Sequence, residues 1–138
     1  MVLLKTFLIT FLAVNVNLKS CNQAKKTVRS SSIKGLWTGT FTTKEGSTGL
    51  FYFSIKPDGN LMIENYYKGI QRVANGTWTL KGNSFTCVGT YFYGSPENIG
   101  TVTKHTAFFD NKTSLNAGVW KNMTPNNDRG NFTMTKVQ

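Results

Sequence analysis

From Ile33 onward, apolar and aromatic residues alternate with Thr, Ser, Asn and Lys at a period of two, and clusters of Gly, Asn, Asp and Pro interrupt the alternation at short intervals. Successive side chains of a strand point to opposite faces, so this pattern describes half-buried strands joined by turns. It predicts eight strands, over residues 35–42, 48–55, 61–67, 73–81, 85–93, 101–110, 115–123 and 130–136. No segment of useful length carries a helical period. The composition agrees: 10 Phe, 5 Tyr, 3 Trp and 13 Gly favour strands and turns. Consecutive antiparallel strands with short links form a meander. Eight of them in about 105 residues match a closed up-and-down barrel with room for one small ligand. A two-sheet sandwich is the alternative.

The first residues belong to a different class of sequence. In MVLLKTFLITFLAVNVNL, Lys5 precedes an apolar run from Thr6 to Val14 that is too short to span a bilayer, which is the pattern of an export signal over residues 1–20. Residues 21–32 hold Cys21 and the polar, cationic stretch NQAKKTVRSSS, which reads as a tether. The folded domain is expected over 33–138. Removing Lys5 and Lys19 with the signal leaves a net charge of +8. The excess is spread singly along the chain apart from Lys25, Lys26 and Arg29 in the tether, where an anionic lipid surface would attract it. No basic stripe interleaved with aromatics suggests nucleic acid as a partner.

Chemistry-bearing residues are few. There is one His, and Cys87 is the one thiol in the predicted domain. Asp58, Glu97, Asp110, Asp128 and Glu45 fall in turns, and Glu64 is out of phase with Leu61 and Ile63. No carboxylate pair is set for acid–base work, and no Cys or His cluster has metal-ligand spacing. The expectation is a protein that is not an enzyme and carries no cofactor. Cys87 reads as a buried small hydrophobe, a Cys21–Cys87 disulfide being the alternative. His105 shares the inward phase with Ala107 and Phe109. Tyr91, Tyr93, Asn65 and Thr103 face inward by the same argument, so His105 belongs either to a satisfied polar network or to the polar end of a ligand cavity.

Trp37, Trp78 and Trp120 each follow a Gly two residues earlier, as a bulky indole on a bent strand requires. With Phe51, Phe53, Tyr91 and His105 they form the expected lining of an interior site for a small apolar or amphipathic ligand. The alternative is that these rings simply fill the barrel and that the loops at 94–100 and 124–129 act instead.

Two resemblances attach to these residues. Leu18, Lys19, Ser20 and Cys21 resemble the lipobox of bacterial lipoproteins, which implies a lipid on Cys21 and attachment to a membrane at the periplasmic or outer-membrane face. Lys19 stands where that motif has a small or apolar residue, so plain cleavage and secretion are the alternative. Gly35, Leu36 and Trp37 in the first strand resemble the G-x-W of the calycin-type barrels, the lipocalins and avidins. In lipocalins a basic side chain from the end of the barrel packs over that Trp, which would be Lys136 or, alternatively, Arg129. The Thr-Asp-Tyr motif of lipocalins and the biotin-gripping Asn, Ser and Tyr set of avidins are absent, so the resemblance implies the fold and not the ligand. A haem on His105, as in nitrobindin-like barrels, is a further alternative.

Overall fold

The computed structural model describes residues 32–124 and 127–138. The expected export signal, Cys21 and the expected tether up to residue 31 lie outside the described residues. Eight strands follow in order: β1 (Gly35–Thr43), β2 (Thr48–Ile55), β3 (Asn60–Tyr67), β4 (Ile70–Lys81), β5 (Ser84–Tyr93), β6 (Val102–Phe109), β7 (Ser114–Thr124) and β8 (Arg129–Lys136). Each pairs antiparallel with the next, and β8 returns to pair with β1, so the sheet is a closed meander barrel and not a sandwich. Among the described residues the one helical element is a 3₁₀ turn at Pro96–Asn98.

The turns explain the register. Lys68 and Gly69 both have positive φ (51° and 76°), the backbone of a two-residue type I′ hairpin. Pairing therefore continues up to the turn, and β4 starts at Ile70, three residues before the strand predicted at 73. In the β6–β7 turn the Asp110 carboxylate accepts backbone N–H bonds from Lys112, Thr113 and Ser114. These bonds hold its pKa below the ordinary Asp value. Asp58 does the same for Asn60, accepting from both its backbone N–H and its side-chain amide. Turn chemistry thus accounts for two of the six carboxylates.

Period-two alternation places one continuous core inside the barrel, including Trp37, Phe41, Phe51, Phe53, Ile63, Phe85, Cys87, Phe109, Leu115, Phe132 and Met134. Truncating a ring such as Phe53 to Ala in a core of this kind costs about 3–5 kcal/mol. Cys87 is a buried free thiol whose pKa is pushed up by that burial, as the sequence suggested for a small hydrophobe.

Of the three glycines before the tryptophans, Gly35 holds a positive φ of 130°, while Gly76 and Gly118 have a steric origin. A Cβ on Gly76 would overlap the Val88 carbonyl of the neighbouring strand, and one on Gly118 would lie 2.5 Å from the Phe132 carbonyl oxygen. The backbones there approach too closely for any side chain, which lets the strands bend around the large rings.

The two ends of the barrel differ. At one end, Ile33 folds under the barrel and accepts the Trp37 indole N–H at 2.8 Å, while Ile55, Leu61, Phe85, Phe109 and Leu115 are buried beside the hairpin turns. This end is sealed. In the β1–β8 ladder Lys136 lies opposite Trp37, whereas Arg129 lies opposite Lys121 in the β7–β8 ladder. The Lys136 ammonium donates to the Ser32 carbonyl and ties the entering chain to the last strand. The other end is ringed by the β1–β2, β3–β4, β5–β6 and β7–β8 connections, and it is the mouth.

One inward expectation fails. Tyr93 is 55% exposed, because the β4–β5 ladder shifts register between Val73 and Ala74, pairing Ala74 with Tyr91 but Val73 with Tyr93. The additional residue, Phe92, forms a bulge that turns Tyr93 to the outside.

Candidate functional site at the barrel mouth

Alternation on β3, β4 and β5 aims Asn65, Arg72 and Tyr91 into the barrel near its mouth. Asn65 and Arg72 are direct partners across the β3–β4 ladder, a consequence of the tight Lys68-Gly69 turn. The Asn65 amide donates to the Tyr91 hydroxyl at 2.6 Å. Tyr91 is pulled by burial to a pKa of about 12, against the smaller opposing effect of that hydrogen bond. The guanidinium of Arg72 lies 5.5 Å from the centre of the Tyr67 ring.

These residues line a cavity of about 100 Å³. Phe41, Phe51, Tyr67 and Trp120 supply its flat apolar walls, and Thr43, Asn98, Thr101, Asn122 and Asp128 complete it towards the loops. Trp120 is held edge-on to Phe41, with centroids 5.7 Å apart, and its indole N–H donates to the Thr42 carbonyl at 3.1 Å. Two polar atoms of the cavity residues are buried without a hydrogen-bond partner, Asn65 Oδ1 and Arg72 Nε. Asn65 itself is 4% exposed. A buried unpaired polar atom costs about 1–3 kcal/mol, and these two stand on the wall of one cavity.

Of the seven residues expected to line an interior site, Phe51, Tyr91 and Trp120 meet at this cavity. The other four do not. Trp37 plugs the sealed end, in edge contact with Phe109. Trp78 is half-buried, packs against the core and donates its indole N–H to the Lys56 carbonyl at 2.9 Å, also at the sealed end. Phe53 and His105 lie deeper in the core. His105 is completely buried, with Phe51, Phe53 and Phe132 around it at centroid distances of 5.2, 5.3 and 5.7 Å.

Neither ring nitrogen of His105 has a partner. The network expected from Tyr91, Tyr93, Asn65 and Thr103 does not reach it. Asn65 and Tyr91 bond each other, the Thr103 hydroxyl donates towards the Lys121 carbonyl at 3.4 Å, and Tyr93 is outside. Enclosed by three phenyl rings, His105 presents no open face to a macrocycle, and the residues do not fit an axial haem ligand.

Below the mouth the interior is filled by side chains, and the cavity is smaller than the roughly 300 Å³ of an ordinary small-molecule site. A larger groove of about 410 Å³ lies on the outer wall along Thr40, Thr42, Val119 and Thr133, beside the β7 irregularity at Ala117. Among the described residues no group of three or more His, Cys, Asp or Glu side chains is placed to hold a metal ion.

Sequence reasoning missed Arg72, because it began the fourth strand one residue too late to include it. The signal was present in the Lys68-Gly69 dipeptide: read as a two-residue turn, it pairs Asn65 with Arg72 directly.

The fold and the mouth define the protein as a small closed eight-stranded antiparallel barrel. No protein-family model matches the chain, and no curated protein does. Among solved structures, it is similar to a redesigned β-barrel, with a TM-score of 0.57 and 17% identity over 80% of this chain and 96% of that one. At that identity the likeness is one of fold.

Proposed function

We propose that the protein is an exported, lipid-anchored binding module that takes a small amphipathic molecule end-on at the barrel mouth. The observation that carries this reading is the cavity in which aromatic walls surround two unpartnered buried polar atoms, Asn65 Oδ1 and Arg72 Nε. The site lies higher in the barrel than the interior lining read from the sequence, and it is more polar. The anchor on Cys21 belongs to the reading through the lipobox resemblance, and Ser32 and Ile33, where the expected tether meets the domain, lie at the sealed end away from the mouth. Catalysis is not part of the reading. The Asp58 and Asp110 carboxylates are engaged by their own turns, and the sole imidazole is walled off by phenyl rings.

Trp120 lines the cavity while Trp37 and Trp78 lie at the other end, so indole emission reports occupancy of the mouth through one residue. An environment-sensitive amphipathic naphthalene dye is expected to bind saturably and to quench the Trp120 contribution, and Trp120→Phe should remove that signal. Absence of any saturable binding would overturn the reading. It would favour the alternative that the filled barrel acts through its loops, for which the packing of the aromatic core below the mouth is the supporting observation. The anchor is tested separately by metabolic labelling with a fatty acid, which Cys21→Ser should abolish.

A further inference from the structure

We infer that the group taken by the mouth is a neutral polyhydroxyl one, the end of a sugar carrying neighbouring hydroxyls. This rests on the mouth being a binding site. Arg72 Nε–H needs an acceptor and Asn65 Oδ1 needs a donor, and the two residues face each other across one rung of the β3–β4 ladder. A hydroxyl group donates and accepts at one atom, so a pair of neighbouring hydroxyls satisfies both.

Other ligand chemistries fit less well. A carboxylate or phosphate would satisfy Arg72 but, with the Asn65 amide donating to Tyr91, would set its charge against Asn65 Oδ1. An apolar chain end would leave both buried atoms unpaired, at a cost of about 1–3 kcal/mol each. Rotating the Asn65 amide by half a turn would let the Tyr91 hydroxyl donate to Oδ1 and aim Nδ2 at the cavity, and a hydroxyl oxygen accepts from that group as well. The hydroxyl therefore suits either amide orientation, whereas an anion suits only the rotated one.

The walls agree with this chemistry. Phe41, Phe51 and Trp120 present flat rings against which the C–H face of a sugar ring packs without losing a hydrogen bond. A volume of about 100 Å³ admits one edge of such a ring, which leaves its remaining hydroxyls among Thr43, Asn98 and Thr101 at the rim.

The test titrates the purified protein with neutral sugars (glucose, galactose, mannose and N-acetylglucosamine) at millimolar concentration. Acetate and laurate serve as anionic and apolar comparisons, with Trp120 emission as the readout. The expected result is saturable quenching by at least one neutral sugar, weakened about tenfold or more by Asn65→Leu. If Asn65→Leu does not fold, Arg72→Met at the half-buried rim keeps the test sharp, its folding checked by the thermal transition.

Saturation by laurate or acetate without any sugar response would overturn the sugar assignment and leave the mouth as a binding site. No response to any probe, the dye included, would overturn both. Sugar binding that survives Asn65→Leu and Arg72→Met unchanged would place the ligand elsewhere and also defeat the inference.

Discussion

His105 shows how one residue sets a condition on the whole fold. Burial alone draws its pKa from 6.5 down to about 3. Between those values the unfolded chain binds a proton that the folded chain refuses, so the stability is fully present above the unfolded value and is lost as pH falls through this window. Lowering the pH from 7 to 5 is expected to cost about 2 kcal/mol from this residue. Urea midpoints of the wild type should fall over that interval, while those of His105→Leu should stay nearly flat. Asp58, Glu97 and Asp110, whose pKa values are lowered by hydrogen bonds in their own turns, are ionised in both states over that interval and lose their contribution only at lower pH. Because neither imidazole nitrogen is bonded, His105→Leu should also leave the stability at pH 7 unchanged or higher. A loss of several kcal/mol at pH 7 would instead mean that the ring has a partner.

The inward aim of His105 was legible in the alternation of residues 102–109, but its depth was not. Phase within a strand fixes a face, whereas depth depends on the stagger between strands, which is set by all the turns together. For this reason Asn65, Tyr91 and His105, all assigned inward from sequence, divide into a bonded pair at the mouth and an isolated ring beneath it. Tyr93 was misassigned for a related reason. A one-residue bulge reverses the faces downstream of it, and nothing in FTCVGTYFY marks where the extra residue sits.

At the scale of the element, the strands are shaped by positions where a side chain cannot or should not stand. Gly76→Ala would drive a methyl group into the Val88 carbonyl, a backbone atom with no freedom to rotate away, and is expected to cost about 2 kcal/mol or more. Ala117 is the converse. It holds φ at 49° where β7 slips register between Leu115 and Gly118, a conformation that costs an L-residue about 1–2 kcal/mol. Ala117→Gly is expected to raise stability by about 0.5 kcal/mol net of the added freedom of the unfolded chain, measured as an upward shift of the urea midpoint. The number and order of strands were readable because turn residues punctuate the period-two pattern cleanly. The β7 irregularity was hidden, since AGVW satisfies the alternation as well in a regular strand as in a bulged one.

At the scale of the molecule, closure joins the two ends of the described sequence. β1 pairs on one side with its immediate neighbour and on the other with β8, in a ladder running from Trp37↔Lys136 to Thr43↔Gly130. A chain ending at residue 128 lacks Phe132 and Met134 from the core and leaves β1 and β7 as open edges. Such a truncation should show no cooperative thermal transition by circular dichroism, and a sharp melt near that of the intact protein would contradict this account of closure.

The same ladder sets a timetable for folding. Bringing β8 to β1 closes a loop that spans nearly the whole domain, so the entropic cost of the last contact is met only once the far end of the chain exists. Until β8 reaches it, β1 has a partner on one side only, and the barrel cannot close. Closure is thus a property of the whole meander, and no shorter run of these strands can have it.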